Sequence, residues 1–284
     1  MFEYCADPRS LEGLTWLSCY LTTPKHAAMY TSVLTVMALL LAVVPPILFL
    51  GFMGALARRS KFAPFRWFGL GYTSIVRGVP DIVFFLFFPI AIDQAVEYIR
   101  HKVKCGDVLE PVYQGNDFVV CQAAKMPLGA SDQIYHEIWG FSLAVFAFAI
   151  VFGAFTANTL HGALQAVPRG QLETAQAFGM SERQVFWRNH MPQLGVYALP
   201  GLSNLWMIVI TATPLLFLLG IKDIVYWAKE LGGMKTQVYT YAHPDWRLWY
   251  FAALLVFYLL LTLISQSVFD RIFKRASRGM AVAT

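Results

Sequence analysis

Three ionisable side chains stand where an apolar stretch should have none. Arg77, Asp81 and Asp93 interrupt residues 67–95, a segment otherwise as apolar as any in the chain. A charge at mid-membrane costs roughly 2.5–3.5 kcal/mol on insertion scales, so it normally faces a cavity or a partner. Arg77 and Asp81 are four residues apart, and on an unbroken helix they share a face and can form an ion pair. Pro80 between them offers the alternative of a broken helix, with a short interfacial segment before the true span and backbone groups turned to a cavity. In such a cavity the Asp81 carboxylate suits an ammonium group and the Arg77 guanidinium suits a carboxylate. Asp93 lies near the end of the stretch, where solvation suffices.

Catalytic constellations are absent from the sequence. No G-x-x-x-x-G-K-S/T run is present: Gly233-Met234-Lys235-Thr236 lacks the first glycine and the adjacent Gly-Lys. His136-Glu137 has no second histidine four residues after the first, so no zinc-peptidase motif forms and no metal site is expected. The four cysteines, Cys5, Cys19, Cys105 and Cys121, are spaced too widely for a CxxC motif and allow three pairings. Local pairs are the expectation, Cys105 with Cys121 above all; four free, partly buried thiols are the alternative.

The elements that must position these residues follow from composition. Of 284 residues 57% are hydrophobic and 14% charged, against about 25% charged in soluble domains. The apolar residues gather in long runs at 27–57, 138–160, 191–221 and 248–269, each reaching the length of about 20 residues that a spanning helix needs. With 67–95 they predict an all-α membrane protein of five transmembrane helices in one domain, 1–284. The spans fall at 28–55, 67–96, 136–158, 194–220 and 247–269. A net charge of +5 does not point to nucleic acid, because the basic residues are scattered between spans and form no stripe.

Basic flanks set the orientation. Arg58, Arg59, Lys61 and Arg66 follow the first span, Arg169, Arg183 and Arg188 the third, and Arg271, Lys274, Arg275 and Arg278 the last. Short basic flanks stay cytoplasmic, so the N-terminus is expected outside and the C-terminus in the cytoplasm. The segment 159–192 is then cytoplasmic, and the insertions 97–135 and 222–246 are external. All four cysteines fall on the outer side, where disulfides persist. Residues 1–20 carry Glu3, Asp7 and Glu12 and lack a basic start, unlike a secretory signal.

The cytoplasmic segment reads as two short helices. Pro168 suits a first turn, Gly179 the left-handed residue that ends the helix, and Ser181 with Gln184 a capping box that opens the next. Leu172, Ala175 and Phe178 recur every third residue and give the first helix an apolar face, suited either to docking into a partner or to lying on the bilayer.

Glu173, Gly179 six residues later and Pro192 thirteen beyond that resemble the EAA loop of permease subunits of binding-protein-dependent ABC importers; Thr174 and Asn189 depart from its usual Ala and Ile. Residues 71–81, Gly-Tyr-Thr-Ser-Ile-Val-Arg-Gly-Val-Pro-Asp, are similar to the second-span signature of polar amino-acid permeases, in particular the histidine and lysine/arginine/ornithine/opine group. Residues 198–204, Ala-Leu-Pro-Gly-Leu-Ser-Asn, also fit. The resemblance runs over 31–269. It implies the type I ABC importer permease fold, an inner-membrane location and a role in bringing polar, basic amino acids from periplasm to cytoplasm. Leu172, Glu173, Ala175, Phe178, Gly179 and Pro192 would couple the chain to a separate ATPase. The implied partners are a homologous second permease, two ATPase copies and a periplasmic binding protein. This chain itself would need no cofactor, since ATP and magnesium would sit on the ATPase.

Departures from the family pattern bear on the solute path. Related permeases usually read Glu-Thr-Phe-Arg-Gly where this chain has Asn158-Thr159-Leu160-His161-Gly162, and Lys-Ser/Asp-Thr where it has Thr211-Ala212-Thr213. The pathway candidates are therefore Arg77, Asp81, Asn158, Thr211 and Thr213, with the threonines equally able to bond their own helix backbone. A non-conducting accessory membrane subunit is the alternative function.

Overall fold

The computed structural model describes residues 5, 11–106, 120–125 and 132–278. Among them the architecture is helical, with one isolated bridge between Lys235 and His243. A short helix α1 (Gly13–Leu21) precedes α2 (Pro24–Arg59); α3 (Ala63–Gly78) and α4 (Asp81–Lys104) follow, then α5 (Gln133–Ala166) and α6 (Arg169–Ala177). Next, α7 (Glu182–Gln184) runs through a π-helical turn at Val185–His190 into α8 (Met191–Ala212) and a 3-10 turn at Thr213–Leu219. Finally come α9 (Ile224–Gly232) and α10 (Arg247–Ala276). Five of these stretches are long and apolar enough to cross a membrane: α2, α4, α5, the continuous run Glu182–Leu219, and α10.

The stretch 67–96, expected as one span, is divided in two. Val79 and Pro80 are extended (φ −111°, ψ 141° and φ −56°, ψ 133°), because a residue before proline is pushed out of the α region. α3 is thereby separated from the spanning α4, and Asp81 opens α4 as its first residue. The second helix of the 168–192 segment also differs from expectation, since it continues unbroken into α8. Pro192 lacks an N–H and would press on the carbonyl of Arg188; the widened π-turn just before it takes up that mismatch.

The bundle is organised around the crossing of α2 and α5. A Cβ on Gly51 would overlap the Thr156 side chain, one on Gly54 would lie 2.8 Å from Ala157 Cβ, and one on Gly153 would lie 2.9 Å from Leu50 Cβ. Without a hydrophobic drive between helices in lipid, such close approach of small residues is what supplies packing. On either side of the crossing, Phe85 of α4 meets Phe148 of α5 with ring centroids 4.6 Å apart, and Gly201 of α8 seats against Thr159. α10 packs more loosely and leaves Leu255, Leu259, Leu263 and Ile264 exposed for lipid.

The two ends differ. At the end where α2 begins, Lys25 pairs with Glu230 of α9 at 3.1 Å, and α1 closes over the α9–α10 connection. Tyr20 donates to the Leu231 carbonyl (3.1 Å) and meets His243 Nε2 (3.0 Å), while buried His26 joins the Tyr250 hydroxyl (2.6 Å). Disulfides join Cys5 to Cys19 and Cys105 to Cys121 at this same end. There the Glu97–Lys125 ion pair (3.6 Å) and the Cys121 N–H donated to His101 hold residues 120–125 against α4. Residues 107–119 and 126–131 of the insertion 97–135 lie outside the described residues. At the opposite end, Arg58 Nη1 donates to Asn158 Oδ1 at 2.9 Å and ties α2 to α5.

Gly51→Ala should force α2 and α5 apart. Overpacking of this kind costs about 1–3 kcal/mol, read as earlier thermal loss of the monodisperse peak in detergent. Adding Thr156→Gly should recover much of the loss; no destabilisation in the single variant would show that the crossing is not tight.

Candidate functional site

The 168–192 hairpin is built by local chemistry. α6 ends in a Schellman arrangement: Met180 N–H donates to the Ala175 carbonyl (3.2 Å) and Gly179 N–H to Gln176 (2.8 Å), with Gly179 at φ +82°. Ser181 and Gln184 then form the reciprocal capping box. The hairpin is tied down by Asn189 Nδ2 donating to the Gln171 carbonyl (3.1 Å) and by buried His190 bonded to the Leu164 carbonyl of α5 (3.0 Å).

The apolar stripe of α6 splits between two environments. Ala175 is buried against the start of the α8 run, Leu172 is half-buried, and Phe178 is 83% exposed, beside exposed Met180 and Glu173. The projecting surface is thus Phe178 and Met180 around the Gly179 turn, with Ala175 and the π-turn leading to Pro192 as its support.

The polar candidates do not converge in this chain. Asn158 is bonded to Arg58. Among the described residues no ion pair joins Arg77 to Asp81; Arg77 is exposed at the end of α3 and Asp81 half-buried at the start of α4. Thr211 and Thr213 lie at the far end of α8. Thr211 bonds the Ile208 carbonyl, and fully buried Thr213 bonds the Ile210 carbonyl (2.9 Å) and the Tyr258 hydroxyl (3.0 Å). Asp93 accepts from Trp139 Nε1 at 2.9 Å.

None of these five pathway candidates lines the cleft that opens between α2, α5 and α9. This cleft, of about 770 Å³, is edged by Thr31, Ser32, Thr35, His136, Glu137 and Lys222, a size and polarity ordinary for a small polar ligand. Next to Lys222, Asp223 caps α9 by accepting from Tyr226 N–H (2.9 Å), and burial pushes its carboxyl up to about 6. Sequence reasoning missed this cleft because Glu137 and Lys222 are 85 residues apart and sit at the ends of apolar runs, where charges are unremarkable.

Residues 47–278 match the family model of the binding-protein-dependent transport system inner membrane component. The chain belongs to that family. Among curated members, it is 31% identical over 221 residues to the arginine ABC transporter permease protein ArtQ of Escherichia coli (strain K12), covering 77% of this chain and 82% of ArtQ. To the histidine/lysine/arginine/ornithine transport system permease protein HisQ of the same strain it is 30% identical over 260 residues, 90% of this chain and 93% of HisQ. The octopine transport system permease protein OccQ of Rhizobium radiobacter is 26% identical over 230 residues, 81% of this chain and 82% of OccQ. Its fold is shared with a chain of the crystal structure of an amino acid ABC transporter with histidines, at a TM-score of 0.63 and 19% identity, over 93% of this chain and all of that one. As an inner-membrane transport component, the chain is a multi-pass membrane protein. The family match includes the hairpin and leaves out α1 and the first 23 residues of α2.

Gly179→Arg should leave the protein in the membrane but detach or uncouple whatever docks at Phe178. A side chain at φ +82° costs about 1–2 kcal/mol and adds bulk beside the projecting surface. Co-purification and transport assays measure the effect; normal transport with full retention of partners would remove the hairpin from coupling.

Proposed function

We propose that this permease conducts polar, basic amino acids of the histidine, arginine, lysine, ornithine or opine kind from periplasm to cytoplasm, as one half of an ATP-binding-cassette importer. The observation that carries the coupling step is the exposed Phe178 beside the left-handed Gly179, on a hairpin clamped to both α5 and the α8 run. A cytoplasmic ATPase, which binds the ATP and magnesium, would take this surface into a cleft. Closure of that cleft would then move α5 and α8 together. The second half is a homologous permease, and a periplasmic protein delivers the solute.

Orientation in this reading puts the N-terminus outside and the hairpin in the cytoplasm. Both disulfides then lie on the oxidising side, and the basic flanks of α2 and α10 lie inside. The substrate class rests on the names of ArtQ, HisQ and OccQ, and on Asp81, a carboxylate at the head of α4 free of Arg77 and available to a cationic side chain.

Two measurements test this. Co-expressed with its neighbouring permease and ATPase and reconstituted in vesicles, the complex should hydrolyse ATP faster with binding protein loaded with arginine, lysine, ornithine or histidine than with leucine. No stimulation by any amino acid would favour a non-conducting accessory subunit. Asp81→Asn should lower uptake of cationic amino acids more than of neutral ones; equal loss for all would mark Asp81 as a structural helix-start acid.

A further inference from the structure

Residues 58–80 hold five basic side chains, Arg58, Arg59, Lys61, Arg66 and Arg77, and no acidic one. α3 occupies most of this segment. At 16 residues it is about 24 Å long, short of the ≈ 30 Å hydrocarbon core, and it is bounded by non-helical residues at Ser60 and Val79. It is nevertheless held rigidly. A Cβ on Gly69 would lie 2.9 Å from Arg58 N, and Tyr72 reaches across to donate to the Ile150 carbonyl of α5 at 2.6 Å.

Three faces divide its surface. Gly69, Thr73 and Val76 are buried inward. At about 100° per residue, Phe68 and Ile75 share one flank, and Arg66 and Arg77 share the opposite flank. Trp67 lies between the flanks on the outward face. Phe62, Phe65, Trp67 and Phe68 are 60–72% exposed, and Arg59, Lys61 and Arg66 are exposed beside them. A surface that pairs large aromatics with uncompensated cations at the end of a spanning helix complements an interface where acyl chains meet phosphate.

We propose that α3 and the turn before it form a binding surface for anionic phospholipid headgroups, with Arg59, Lys61 and Arg66 taking the phosphates and Phe65, Trp67 and Phe68 seated among the upper acyl carbons. Arg58 is excluded from the set because its guanidinium turns inward to Asn158. Because α3 leads through Val79–Pro80 directly to Asp81, headgroup binding fixes the start of α4.

Full-length protein in phosphatidylcholine nanodiscs, probed with trace spin-labelled phosphatidylglycerol or phosphatidylcholine, tests it. The motionally restricted fraction should favour phosphatidylglycerol at low salt, and the preference should shrink in 1 M NaCl. The triple variant Arg59→Gln, Lys61→Gln, Arg66→Gln should reduce the preference by at least about fivefold. Arg271→Gln, Lys274→Gln, Arg275→Gln, at the end of α10, should retain it. If the first triple variant does not fold, photoactivatable phosphatidylglycerol on the wild-type protein should label peptides within 59–68. A salt-independent preference, equal loss in both variants, or label confined elsewhere would each overturn the proposal. So would a changed oligomeric state with unchanged lipid preference, which would assign the face to a protein partner.

Discussion

The close approach of α2 and α5 is the constraint from which the rest of the bundle follows. Gly51 and Gly54 on one helix, with Gly153, Thr156 and Ala157 on the other, bring the two backbones together in a region where lipid supplies no hydrophobic push. Everything else is hung on that pair. Phe85 of α4 packs its ring against Phe148 and Phe152 on one side of α5, and Gly201 of α8 docks on Thr159 just past the crossing. Tyr72 of α3 inserts its ring where Gly54 and Gly153 leave room. A bulky residue at the crossing would displace each of these in turn, because they share α5 as their common support.

The two ends answer different solvents. Where α2 begins, a network of Tyr20, His26, His243 and Tyr250 with two disulfides makes a cap whose polar groups bond one another. Where α2 ends, exposed groups dominate: Arg59, Lys61 and Arg66, the aromatics beside them, and a hairpin that presents Phe178. The first arrangement favours a fixed shape and the second favours adhesion. The hairpin is anchored to two spanning runs at once, through His190 to α5 and through its own continuity to α8, so it cannot move without them.

Five spanning runs were legible from hydropathy alone, and so was the hairpin turn, since Gly179, Ser181 and Gln184 act through neighbours three or four residues away. What stayed hidden depends on distant partners. The sequence left Arg77 and Asp81 open between an ion pair and a broken helix, and the backbone at Val79 and Pro80 resolves it toward the break. The second short helix of the hairpin read as separate from the following span because the π-turn that carries it into α8 leaves no mark in composition. The bond of Asn158 runs to Arg58, one hundred residues earlier. Thr213 likewise finds Tyr258, 45 residues on.

The cap formed by α1 also imposes an order in time. Cys5 and Cys19 are 14 residues apart and can be joined as soon as both emerge, but the surface that α1 covers is made of residues near the other end of the chain. Tyr20 meets His243 across 223 residues and Lys25 meets Glu230 across 205. At about 5–20 residues per second, α1 waits roughly 10–45 s for its seat to be synthesised. Until then its aromatic face is uncovered. Closure of the cap therefore waits for α9 and the α9–α10 connection, because a chain truncated before α9 has nothing for Tyr20 to close upon.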